Sequence, residues 1–143
     1  MTGDPAGGRS PPSLRRMSIY VCLRYRDAPA AIDFLCNAFG FERMVVYEDD
    51  GVVHHAELRL GDSMVMVGSD RDDAVHGDRV GLGWSYIGID GTDELFERAK
   101  AAGAEVVREP FDAGHGSRDF TVRDPEGNTW MVGTYDPATA PAA

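Results

Sequence analysis

The second half of this sequence repeats the first in its order of elements. Asp27-Ala28-Pro29-Ala30-Ala31-Ile32 opens an apolar-periodic run that stops at Phe39-Gly40-Phe41. Asp90-Gly91-Thr92-Asp93-Glu94-Leu95 opens a second run, which stops at Ala102-Gly103-Ala104. The halves close on nearly the same words, Met66-Val67-Gly68-Ser69 and Met131-Val132-Gly133-Thr134. A unit of about sixty residues buries its own core poorly. The copies must therefore pack on each other or on a partner chain, and the groove between pseudo-symmetric halves is a natural ligand site.

Each copy reads as strand, helix and three strands. Ser18 to Tyr25 alternates and is rich in β-formers. Asp27 is placed to cap a helix, with Pro29 in its first turn, a stripe of Ala31, Ile32, Leu35 and Phe39, and Gly40 as its stop. Strands follow at Phe41 to Glu48, Val52 to Leu60 and Ser63 to Gly68, divided by Asp49-Asp50-Gly51 and Gly61-Asp62. The charged stretch Ser69 to Arg79, which contains His76, reads as the loop between copies. The second copy runs through a strand at Leu82 to Ile89, a helix at Thr92 to Ala102 and a strand at Ala104 to Glu109. A glycine-containing loop, Phe111 to Gly116, precedes strands at Ser117 to Arg123 and Asn128 to Tyr135. The fold class expected is α+β: two βαβββ modules, 18–69 and 82–135, inside one domain at 18–137. The Gly/Pro/Ser/Arg-rich start at 1–17 and the close at 138–143 are expected to be disordered tails, not a secretory signal.

With one helix per module, only one face of each sheet is covered. Strand alternation assigns Ala56, Leu58, Leu60, Phe120 and Val122 to that face, and His55, Glu57, Arg59, Asp119, Thr121 and Arg123 to the open one. The net charge of −10 argues against nucleic acid or an anionic membrane as partner. No apolar run reaches the ~18 residues of a membrane span. Cys22 and Cys36 make no disulfide framework and read as buried free thiols of a cytoplasmic protein.

The order of elements, Asp27-x-x-x-Ala31-Ile32-x-Phe34-Leu35 running to Phe39-Gly40-Phe41, and Arg123-Asp124-Pro125-Glu126-Gly127-Asn128 together resemble the vicinal oxygen chelate superfamily. That superfamily groups glyoxalase I, fosfomycin-resistance enzymes, extradiol dioxygenases and bleomycin-resistance proteins. The resemblance spans about Ser18 to Pro137. It implies a cupped, largely antiparallel sheet of paired modules and a homodimer that completes two equivalent sites. Metalloenzymes of the family take ligands early in each module's first strand and in each module's last strand. Counting from the Asp that opens each helix, and from the turn before each last strand, carries those places to Tyr20, Met66, Trp84 and Met131. None offers an imidazole or a carboxylate, which zinc and harder divalent ions require. No metal and no cofactor is expected.

What remains is an apolar floor. Tyr20, Trp84 and Tyr86 supply rings, while Met66 and Met131 supply soft, adaptable surface. Each could equally be core. His55 and Glu57 share a strand face, about 6.8 Å apart along the strand. They can shape the pocket by a hydrogen bond, act as an acid–base pair, or sit in solvent. A metal held by them would need a third ligand, for which spacing nominates none. Arg118 could clamp a carboxylate or phenolate, or tie a loop by an ion pair, and Thr121 joins the polar side of the floor. The expected function is metal-independent binding of an aromatic or amphipathic organic molecule. The alternatives are an enzyme on the same scaffold, either metal-free and using Glu57 and His55 or metal-dependent with an atypical site, and a protein whose groove serves dimer packing.

Overall fold

A computed structural model describes residues 18–71 and 78–137. The expected tails at 1–17 and 138–143, and the centre of the inter-module loop with His76, lie outside the described residues. The first module consists of β1 (Val21–Tyr25), α1 (Ala28–Phe39), β2 (Glu42–Asp49), β3 (Val52–Leu60) and β4 (Ser63–Ser69). The second consists of β5 (Trp84–Gly88), α2 (Thr92–Ala101), β6 (Glu105–Asp112), β7 (Arg118–Arg123) and β8 (Thr129–Gly133), with a single 3-10 turn at Gly114–Gly116.

The two sheets have the same topology, β1-β4-β3-β2 and β5-β8-β7-β6. First and last strands of each module pair in parallel; the remaining pairs are antiparallel. The expected βαβββ repeat is therefore the fold. Its boundaries moved slightly. β1 begins at Val21, leaving Tyr20 just before the strand, and β6 runs on to Asp112 through Pro110, which an edge strand tolerates because it needs no donor there.

Helix α1 forms as its sequence dictates. The Asp27 carboxylate accepts from the Ala30 N–H at 3.1 Å, and Gly40, in the left-handed conformation, donates to Cys36 O at 3.1 Å. Ala31, Ile32, Phe34, Leu35, Ala38 and Phe39 are buried against the sheet. Helix α2 has no side-chain cap, but Asp93 and Glu94 lie in its first turn and Arg98 and Lys100 in its last, the order that its dipole favours. Between β2 and β3, Asp50 and Gly51 both take positive φ, the requirement of a two-residue hairpin turn with the strands' own twist.

The modules join back to back through one hydrophobic core. Trp130 of β8 is 1% exposed and packs against Phe39 and Phe41 of the first module, at centroid distances of 5.3 and 5.9 Å. The Asp124-Pro125-Glu126-Gly127 turn is the polar part of this junction. The buried Asp124 carboxylate accepts from the Tyr25 hydroxyl (2.6 Å), the Trp130 indole N–H (3.1 Å), the Asn128 amide (3.2 Å) and the backbone N–H groups of Glu126 and Asn128 (3.1 Å each). Burial, and then the adjoining Asp124 charge, hold the Tyr25 phenol far above its ordinary range. Glu126 accepts from the N–H groups of Arg26 (2.6 Å) and Asp27 (2.8 Å), at the entry to α1. Arg98 of α2 donates to the carbonyls of Asn37 and Cys36 at the end of α1. Among the described residues no helix is long and apolar enough to cross a membrane.

Candidate functional site

Both helices lie on the core side, so each sheet keeps a second face free of helix. In β1 the buried residues are Leu23 and Tyr25, and in β4 they include Val65 and Val67; Cys22, Arg24, Met64 and Met66 turn the other way. In the second module Ile87, Phe120, Val122, Trp130 and Val132 are buried. That leaves Trp84, Tyr86, Asp119, Thr121 and Met131 on the open face. Strand register lines up equivalent rows across the sheets: Cys22–Met66–Glu57–Val45 in the first and Tyr86–Met131–Thr121–Arg108 in the second.

The apolar members of this face are only partly covered. Trp84 is 75% exposed, Tyr20 50% and Tyr86 37%. The Trp84 indole N–H donates to the Met131 sulfur at 3.0 Å, which holds the ring beside that thioether. The Tyr86 hydroxyl accepts from the Tyr135 N–H at 2.9 Å. These contacts give the open face of the second module two rings fixed at one end each.

In β3 alternation is interrupted. Val53 and Ala56 are both buried, and the pairing with β2 shifts register between Tyr47 and Glu48. The shift leaves His54 and His55 outside the covered face. There the His55 Nε2 and Glu57 Oε2 atoms lie 2.8 Å apart, and the His55 ring stacks on Tyr47 with centroids 6.5 Å apart. The carboxylate therefore has a defined partner on the open face, in the same row as Met66.

Arg118 is engaged elsewhere. Its guanidinium forms a fork to both Asp93 oxygens at 2.8 and 3.2 Å and reaches Asp112 at 3.0 Å, which ties β7 to α2 and β6. Those bonds raise its pKa and lower that of Asp93. The arrangement brings together Met66, His55 and Glu57 on one module and Trp84, Tyr86, Thr121 and Met131 on the other. Arg118 does not join them.

Three residues on the open face have no place in the motif-level reading. Cys22, expected to be buried, is exposed because strand parity turns it away from the helix; it is the counterpart of Tyr86, since each is paired with the methionine of its module's last strand. Arg24 lies across Gly68, and Asp119 across Gly133. Strand parity flagged Asp119 as open-face, but no motif singled it out. Around Arg24 the first module carries a cavity of about 370 Å³, lined by Cys22, Arg24, His54, His55, Met66 and Arg71 among others. A larger cleft of about 520 Å³ opens between the modules, against Val21, Phe41, Val65, Ile87 and Trp130. It is apolar and borders the core, with Asp62 as its one ionisable carboxylate.

At Tyr20, Met66, Trp84 and Met131, the positions that the family resemblance nominates for a metal, the donor set is a phenol, an indole and two thioethers. It does not fit a divalent ion, which takes imidazole, carboxylate or thiolate. Among the described residues no group of three or more His, Cys, Asp or Glu side chains is clustered to hold one.

TioX from Micromonospora sp. ML1 is 30% identical and superposes with a TM-score of 0.70, over 81% of this chain and 98% of that one. A lactoylglutathione lyase from Agrobacterium tumefaciens, 24% identical with a TM-score of 0.62 over 82% and 92% of the two chains, shares the fold. An uncharacterized protein of Mycobacterium tuberculosis (strain ATCC 25618 / H37Rv), Rv0887c, is 35% identical over 115 residues, 75% of this chain and 68% of that protein. A sequence model of the Glyoxalase/Bleomycin resistance protein/Dioxygenase superfamily matches residues 18–132. The chain belongs to that superfamily.

Proposed function

We propose that the protein is a metal-independent binder of a small aromatic or amphipathic molecule, held against the open sheet faces and acting as a cytoplasmic homodimer. The observation that carries this is the replacement of all four family metal positions by Tyr20, Met66, Trp84 and Met131, with Trp84 left 75% exposed. Rings and thioethers exposed together on a sheet face that no helix covers favour a flat organic ligand. Two separate open faces in one chain, both with exposed aromatics, favour a second copy that closes each over the other. Free Cys22 and Cys36 suit a reducing compartment.

Titration with N-phenyl-1-naphthylamine, whose emission rises in apolar sites, tests the reading. Trp84→Ala is expected to weaken binding roughly thirtyfold, since removing a central ring costs ~2 kcal/mol. The urea midpoint should change little, because the ring is largely exposed. Equal affinity in wild type and Trp84→Ala would remove the open face as the ligand site.

The 2.8 Å contact between His55 and Glu57 favours a second reading, metal-free acid–base catalysis on the bound molecule. In that case Glu57→Gln abolishes turnover and leaves binding largely intact. A variant with undiminished turnover excludes Glu57 as the base.

A further inference from the structure

The words that close each repeat, Met66-Val67-Gly68-Ser69 and Met131-Val132-Gly133-Thr134, place a glycine at the same point of each open face. Neither glycine has positive φ, so neither is required by a turn. Each leaves room for a polar side chain laid across the strand. A Cβ at Gly68 would overlap the Arg24 guanidinium; one at Gly133 would overlap the Asp119 carboxylate and the Tyr86 hydroxyl. The side chains laid over the two equivalent glycines, Arg24 from β1 and Asp119 from β7, therefore carry opposite charge. Over Gly133 the Asp119 oxygen accepts from the Ser117 hydroxyl at 2.5 Å. Over Gly68 the arginine faces a cavity of about 370 Å³ that Arg71, His54 and His55 also line.

Both arginines of this cavity are bonded to backbone carbonyls, as Arg98 is at the end of α1, and not to a carboxylate. Arg26, Arg43, Arg59, Arg118 and Arg123 are all paired with carboxylates. Arg24 donates instead to the Ser69 carbonyl at 3.4 Å, and Arg71 to the His54 carbonyl at 3.0 Å. Among the described residues no carboxylate pairs with either. Glu57, which shares this open face, is engaged by His55. A guanidinium fixed by one backbone carbonyl keeps further N–H donors in a planar fork, the geometry that receives an oxyanion. Among the described residues that line the cavity, Arg24 and Arg71 are the arginines and none is a carboxylate.

We propose that the Gly68 end of the first module's open face is an oxyanion subsite, in which Arg24 and Arg71 receive the carboxylate, sulfonate or phosphate group of an aromatic ligand. It rests on the open-face reading above and adds the chemical class: the ligand is an aromatic acid. Asp119 at the equivalent point of the second module repels the same group, so the acid enters in one orientation.

Two fluorescent probes with one skeleton separate the claims. 8-Anilinonaphthalene-1-sulfonate carries the oxyanion, and N-phenyl-1-naphthylamine is the same molecule without it. The sulfonate should bind more tightly, and Arg24→Gln and Arg71→Gln should each weaken it about tenfold, the effect of losing a charge-assisted hydrogen bond. Neither variant should alter the neutral probe. Gly68→Ala retains every charge but displaces Arg24, and should weaken the sulfonate alone; Arg43→Gln, a charge change paired to Asp33, should alter neither. Urea midpoints establish that each variant is folded. If Trp84→Ala weakens both probes while the arginine variants leave the sulfonate unchanged, the oxyanion subsite is wrong and the open-face site stands. If Trp84→Ala leaves the neutral probe unchanged, the open-face reading fails and takes the subsite with it.

Discussion

Asp124 shows how much a single side chain can hold in this fold. Its carboxylate is the shared acceptor for Tyr25 of one module and Trp130 and Asn128 of the other. Asp124→Ala would strand three buried side-chain donors at once, and is expected to destabilise the chain by more than about 3 kcal/mol. Chemical denaturation measures this, and a change under about 1 kcal/mol would mean that the donors find water instead. Arg118 supplies a case with a pH signature. Its hydrogen bonds lower the Asp93 pKa below the ordinary 3.8. A carboxyl group depressed in the folded state contributes stability above its unfolded pKa and loses it as pH falls through the folded value. Arg118→Gln should therefore be less stable than wild type at pH 7, by an amount that shrinks once the medium is acid enough to protonate Asp93. Urea midpoints at neutral and strongly acid pH check the sign, and a difference that persists at acid pH would assign Arg118 a packing role.

At the scale of elements, the helices and turns were legible because their signals are local. Asp27, Pro29 and Gly40 carry the start and stop of α1, and Asp50-Gly51 the hairpin, through interactions within a few residues. Strand parity was less secure. The register shift in β3 buries both Val53 and Ala56, and no local pattern in Val52-Val53-His54-His55-Ala56 announces it. A bulge is chosen by pairing with β2, which is a tertiary fact. Cross-module contacts are likewise silent in sequence. Arg98 of α2 closes the last turn of α1 through the carbonyls of Asn37 and Cys36. Arg98→Ala should cost about 0.5–1 kcal/mol, the usual scale for a cation at a helix C-terminus, and should shift the urea midpoint without changing the slope. A changed slope would point to the modules separating in steps.

For the whole molecule, the expected assembly is a homodimer, and sedimentation over a range of concentrations tests it. A monomer throughout would leave the open faces without a second copy. Removal of divalent ions with a chelator should leave Tm unchanged, because no metal-binding energy is linked to folding when the family positions are Tyr20, Met66, Trp84 and Met131. A fall in Tm would place a metal among ligands outside those four. The repeat and the βαβββ order were determined by sequence alone, since periodicity and residue identity are properties of the chain. Tertiary structure decided which residues meet. It turned Arg118 toward Asp93 and Asp112, laid Arg24 over Gly68 and Asp119 over Gly133, and gave Asp124 its donors from both modules. The physical reason is that hydrogen-bond partners and charge pairs are set by distances of about 3 Å between groups as many as 100 positions apart in the chain, and no periodicity encodes distances of that kind.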